Sequence, residues 1–138
     1  MTSYAPLLAK DRRTRWRPDL IYFNNTEVKP GTSYYTQLLF GQNSGNEYIP
    51  SVLTLSDNRD DVRKRIGISV VKDSLSQDLI LKIVNLLPVK VQATISTLPV
   101  LGITGKQDAT KTVLSGMPDD WNARPETSPV AIGPQYPG

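Results

Sequence analysis

A chain of 138 residues is long enough to bury one core, although 38% apolar and 7% aromatic content keeps that core small. A net charge of +3, from 16 basic and 13 acidic side chains, is too evenly mixed for the concentrated basic face that nucleic acids require. With no cysteine and no histidine, disulfides, Cys or His metal sites, thiol nucleophiles and Ser-His triads are excluded.

In chain order, "MTSYAPLLA" (1–9) reads as the end of a helix that Pro6 limits. The charge clusters "KDRRTRWR" and "DNRDDVRKR" read as solvated loops. Between them, "DLIYFN" (19–24) is an apolar run without alternation, the pattern of an interior strand. A turn at Pro30-Gly31 leads into a predicted helix capped by Thr32 or Ser33. Tyr35, Leu38, Leu39 and Gln42 share one face of that helix, and Gly41 is placed to stop it. Residues 19–41 therefore make one βα unit, whose strand needs neighbours on both edges.

From Glu47 the period changes. "EYIPSVLTL", "RIGISVVKD", "DLILKIVNLL", "VKVQATIST" and "TKTVLSG" read as strands about ten residues apart, the spacing of an antiparallel sandwich. In the fourth, Val89, Val91, Ala93 and Ile95 alternate inward. The proline-rich tail from Met117 reads as extended loop. The acids of "DNRDD" (57–61) could offer oxygen ligands to Ca²⁺, but the stretch lacks the Gly and closing Glu of an EF-hand loop, and no metal is expected. No stretch has the length of a membrane span or the form of a signal peptide.

The stretches "SYAPLLA", "WRPDLIYFNN", "SYYTQLLFGQNSG" and "VVKDSLSQDLILKIVN" together resemble the C-terminal portion of the α-L-arabinofuranosidases of glycoside hydrolase family 51. The matching positions are Ser3 to Leu7, Trp16, Pro18, Asp19, Phe23, Asn24, Tyr34, Tyr35, Gln37, Val84 and Asn85. "SGMPDDWNARPETSPVAI" is similar to the family's Gly-x-Pro…Asn…Pro…Val loop. The resemblance covers nearly the whole chain in order. It implies a mainly β fold: an antiparallel, jelly-roll-like β-sandwich over 46–138, preceded over 1–45 by the last strand and helix of a catalytic (β/α)₈ barrel. It also implies that Met1 is not the natural start, so no localisation follows.

In such retaining glycosidases one Glu is the acid/base and another the nucleophile, with carboxyl groups roughly 5 to 5.5 Å apart. The resemblance places both upstream of this chain. Glu27, Glu47 and Glu126 match neither motif and read as solvated acids, so no catalytic residue, metal or cofactor is expected here. Asn24 and Asn25 are the candidate substrate-binding residues, because barrel active sites lie at the C-terminal ends of strands and amides suit sugar hydroxyls. Alternatively they serve only the backbone of the turn. "NNT" also fits a glycosylation sequon. Among Trp16, Tyr22, Tyr34, Tyr35, Tyr48 and Trp121, packing is the plainer role and a sugar platform the sharper one. Asn85 is expected to bond to nearby backbone.

Three functions are consistent with these residues: part of an arabinofuranosidase, a free-standing carbohydrate-binding sandwich, and a purely structural domain. In the first, the partners are the catalytic barrel and an arabinose-containing oligo- or polysaccharide. No nucleic acid or membrane is expected. Exposed sheet edges and apolar surface on the βα unit predict self-association or partial disorder.

Overall fold

The computed structural model describes residues 3–96, 107–117, 120 and 126–132. Three small sheets and two short helices make up these residues. They divide into two compact units, residues 1–40 with 96–138 and residues 41–95.

In the first unit, β1 (Leu8–Lys10) and β2 (Ile21–Phe23) run parallel, and β3 (Val28–Pro30) pairs antiparallel with β2. The apolar run of β2 thus has a partner on each edge, as an interior strand requires. The sequence reading of 1–9 as a helix end is corrected here. Once β2 offers its edge, inter-strand bonding decides the conformation of Leu8–Lys10, with Leu20 and Ile21 N–H donating to the Pro6 and Leu7 carbonyls at 3.2 and 3.1 Å. Gly31 then turns the chain into α1 (Thr32–Gln42), its carbonyl accepting from the Tyr34 and Tyr35 N–H groups at 3.1 and 3.4 Å. Gly41 does not stop α1, which runs one residue further.

Ala9, Leu20 and Tyr22 are the buried apolar side chains among the described residues. Beside them lies Asp19, 1% exposed, whose N–H donates to Tyr22 Oη at 2.8 Å and whose two carboxylate oxygens have no hydrogen-bond partner among the described residues. No residue of α1 is fully buried. Tyr34 and Tyr35, both half-buried, meet edge to face at 5.4 Å.

Also in this unit, β7 (Gln107–Val113) and β8 (Glu126–Ile132) form an antiparallel ribbon in the register Gln107↔Ile132 to Val113↔Glu126. This corrects the reading of the tail as loop. Pro129, opposite Thr110, is tolerated because each strand of a two-stranded ribbon keeps an unpaired edge. Trp121 lies outside the described residues.

The second unit is an antiparallel sheet of β4 (Glu47–Ile49), β5 (Ile66–Lys72) and β6 (Leu79–Asn85). β5 and β6 pair along their whole length, from Ile66↔Asn85 to Lys72↔Leu79. Their turn is closed by Asp73: its N–H donates to the Asp78 carbonyl at 3.0 Å, and its Oδ1 accepts from the Leu75 N–H at 2.9 Å. The Asn46 amide clasps the same turn, donating to Ser74 Oγ at 2.7 Å and accepting from the Ser74 N–H at 2.9 Å.

Two predicted strands shrink or vanish. "EYIPSVLTL" keeps only Glu47–Ile49, because Pro50 has no N–H to continue the ladder. "VKVQATIST" forms no strand over its described residues, 89–96, and Val89, Val91 and Ile95 are 61%, 43% and 42% exposed rather than inward. At the end of β6, the Asn85 amide donates to the Val89 carbonyl at 2.9 Å and accepts from the Leu87 N–H at 3.0 Å, closing a turn where the strand is expected to begin. A short helix, α2 (Asp60–Arg63), stands within the cluster read as loop, with Asp60 and Asp61 in its first turn and Arg63 in its last, the arrangement its dipole favours.

Candidate functional site

Because β1 and β2 are parallel, the residues that follow them, Asp11 and Asn24, emerge at the same end of the sheet. The Asp11 N–H donates to the Phe23 carbonyl at 2.8 Å, fixing that end. The turn into β3 brings Glu27 and Lys29 to the same place.

Asn24 organises the turn. Its Oδ1 accepts from the Thr26 N–H at 2.8 Å, the Glu27 N–H at 3.0 Å and Thr26 Oγ1 at 2.9 Å. Its Nδ2 donates to Glu27 Oε1 at 3.1 Å. Lys29 Nζ then bridges two acids, Glu27 Oε1 at 2.8 Å and Asp11 Oδ2 at 3.5 Å. Of the two sequence-predicted amides, Asn24 is thus engaged with its own turn, while Asn25 is exposed beside it.

The electrostatics disfavour general-acid chemistry at Glu27. The hydrogen bond from Lys29, and then that from Asn24, hold its carboxyl below the ordinary carboxylate range, whereas a general acid needs the opposite shift. Lys29 is held above its ordinary value, chiefly by its hydrogen bond to Glu27. Glu47 starts β4 in the other unit, and Glu126 starts β8. No group of three or more acidic side chains that could hold a metal occurs among the described residues. The cluster can orient and hydrogen-bond hydroxyl groups, with Asn25, Glu27, Lys29 and Asp11 as its polar atoms. Sequence reasoning missed Asp11, Glu27 and Lys29 as companions of Asn24. The β2–β3 turn brings Glu27 and Lys29 to Asn24, and the parallel pairing of β1 with β2 adds Asp11.

Asn24→Ala is expected to loosen this turn by about 1–2 kcal/mol through the lost hydrogen bonds. Faster amide exchange at Thr26 and Glu27, with Ile21 unchanged, is the check. The ion pair adds a pH dependence. The folded value of Glu27 is depressed, so its contribution is present above its unfolded pKa and fades as pH falls through the folded one. That of Lys29 is raised, so its contribution is present below its unfolded pKa and fades as pH rises through the folded one. Protection at Glu27 is expected to be greatest in the mid-pH window between.

No family model matches the chain. It does match glycoside hydrolases over part of its length. A stretch of 54 residues is 44% identical to an extracellular exo-α-L-arabinofuranosidase of Streptomyces chartreusis, covering 39% of this chain and 6% of that protein. A stretch of 48 residues is 48% identical to a probable α-L-arabinofuranosidase A of Aspergillus terreus, covering 33% of this chain and 8% of that one. Over 53 residues it is 40% identical to α-L-arabinofuranosidase 1 of Arabidopsis thaliana, covering 38% of this chain and 8% of the plant protein. Among solved structures, the arabinose-bound MgGH51 α-L-arabinofuranosidase superposes with a TM-score of 0.60 at 26% identity, over 95% of this chain and 21% of that one. The chain is therefore a partial match to the family 51 α-L-arabinofuranosidases, spanning 6 to 8% of the curated relatives' length.

Proposed function

We propose that this chain is the C-terminal part of an α-L-arabinofuranosidase, a retaining hydrolase of arabinose-containing polysaccharides, and that it serves as scaffold for catalytic glutamates carried elsewhere. Residues 1–45 then correspond to the last strand and helix of a catalytic barrel, and residues 46–138 to a jelly-roll-like sandwich beside it. The observation that carries this reading is the parallel pairing of β1 with β2, with α1 following after the short antiparallel β3, in a chain that aligns over 95% of its length with an arabinofuranosidase. Parallel strands are at home in covered α/β architectures and out of place in a free-standing antiparallel module. In this reading Asn24 and Asn25 mark the active-site end of the barrel strand, Asn24 shaping the loop and Asn25 meeting the sugar. Exposed Ile83, Val84 and Leu86 supply apolar surface for packing against the rest of the enzyme or a second copy.

The test is a chimera of the arabinose-bound relative in which this chain replaces the aligned 21%. Hydrolysis of an aryl α-L-arabinofuranoside is expected from the chimera and none from the chain alone. A folded chimera without activity, or turnover by the isolated chain, contradicts the proposal.

A further inference from the structure

We propose that residues 10–17, the last residue of β1 and the loop after it, bind a carboxylate-bearing polysaccharide, with Trp16 as a stacking platform and the neighbouring arginines as carboxylate clamps. Lys10, Arg12, Arg13, Arg15 and Arg17 are all exposed, and no ion pair joins any of them to an acid among the described residues. Asp11 is the one acid in the stretch, and Lys29 takes it up at 3.5 Å. Among the described residues the charge of the loop is therefore left unpaired, although the chain as a whole carries only +3.

Trp16 stands in the middle of these cations, 71% exposed. Its backbone is held at both polar groups by Thr14 Oγ1, which accepts from the Trp16 N–H and donates to the Trp16 carbonyl, each at 3.1 Å. The Arg13 N–H closes the preceding turn on the Lys10 carbonyl at 2.9 Å, with Arg12 in the left-handed region at φ 61°. An exposed indole with Arg15 and Arg17 as its neighbours in the chain suits a sugar ring bearing a carboxylate, because the ring stacks and guanidinium groups pair with carboxylates in a bidentate fork. A uronic-acid polymer has that chemistry at every residue, so successive units can engage Arg12, Arg13 and Arg15 in turn. The choice of a sugar polymer over another polyanion rests on the carbohydrate reading above. The chimera assay contains no charged ligand, so either proposal can fail while the other stands.

The experiment is affinity electrophoresis of the chain through gels containing polygalacturonate, neutral linear arabinan or single-stranded DNA. Retardation by polygalacturonate alone is expected, weakening as salt is raised. Trp16→Ala, and separately the triple variant Arg12→Gln, Arg13→Gln, Arg15→Gln, are each expected to weaken it about tenfold. Circular dichroism should be unchanged for both, since every substituted side chain is exposed. No retardation by polygalacturonate overturns the proposal. DNA that retards as strongly, with Trp16→Ala indifferent, overturns it in favour of an unspecific cationic surface. Equal retardation by neutral arabinan overturns the role given to the arginines.

Discussion

Leu20→Ala is expected to lower stability by about 2–5 kcal/mol, the usual range for emptying a leucine site in a core. The effect is large relative to the whole, because small domains have a net stability of about 5–15 kcal/mol. The described core has no redundancy: Leu20 shares it with Tyr22 and Ala9, and Asp19 lies buried next in sequence without a donor for its carboxylate. The variant is expected to lose the protection of the β2 amides Ile21 and Tyr22 at urea concentrations that leave β5 and β6 protected. A loss below about 1 kcal/mol would mean that the first unit is held by something other than this cluster.

Gly45→Ala is the second large effect, in the other unit. Gly45 adopts φ +62°, and an added Cβ would lie 2.8 Å from Val71 Cγ2 and 3.0 Å from the Lys72 carbonyl oxygen. That carbonyl accepts the Asn46 N–H at 3.0 Å, the bond that starts the β4–β5 ladder. Conformational strain and overlap therefore fall on the same joint, and a loss of about 1–3 kcal/mol is expected. The matched control is Gly41→Ala. Nothing lies within 4 Å of a Cβ there, and the residue is helical, so a gain of about 0.5–1 kcal/mol is expected. Urea midpoints of the two variants, moving in opposite directions, are the measurement. Equal destabilisation would contradict the geometry at Gly45.

The elements legible in the sequence were those whose local pattern and tertiary context agree. β5 and β6 carry long apolar runs closed by a polar turn, and they pair with each other along their full length. α1 has its turn, its helical spacing and a glycine close to its end. β2 read correctly as an interior strand, and that already implied two partners which the sequence did not identify. One of them, β1, was hidden because Pro6 and an apolar run of ordinary helix formers look the same at the end of a helix as on the way into a strand. The strand assigned to 89–96 failed for the converse reason. Alternation alone is persuasive, but the amide of Asn85 closes a turn on Leu87 and Val89, a local bond that the alternation does not reveal. β8 was missed because its proline argued against a strand, and only its place in a two-stranded ribbon removes the objection.

The candidate site divides along the same line. Asn24 and Asn25 could be picked out as amides at the end of a strand. The cluster beside them is completed by the contact of Lys29 with Asp11, 18 residues apart in the chain, while Glu27 lies two residues from Lys29. No spacing rule encodes such a contact. It follows from β1 lying parallel to β2, and from the turn that Asn24 itself closes.

The most direct test of the scaffold proposal is an amide correlation spectrum of the labelled chain, with and without neutral arabino-oligosaccharides. A scaffold whose sugar contacts depend on the rest of an enzyme is expected to give dispersed β5 and β6 signals and no shift at Asn24, Asn25 or the tyrosines. Localised, saturable shifts at those residues would contradict it and make the chain a carbohydrate-binding module in its own right.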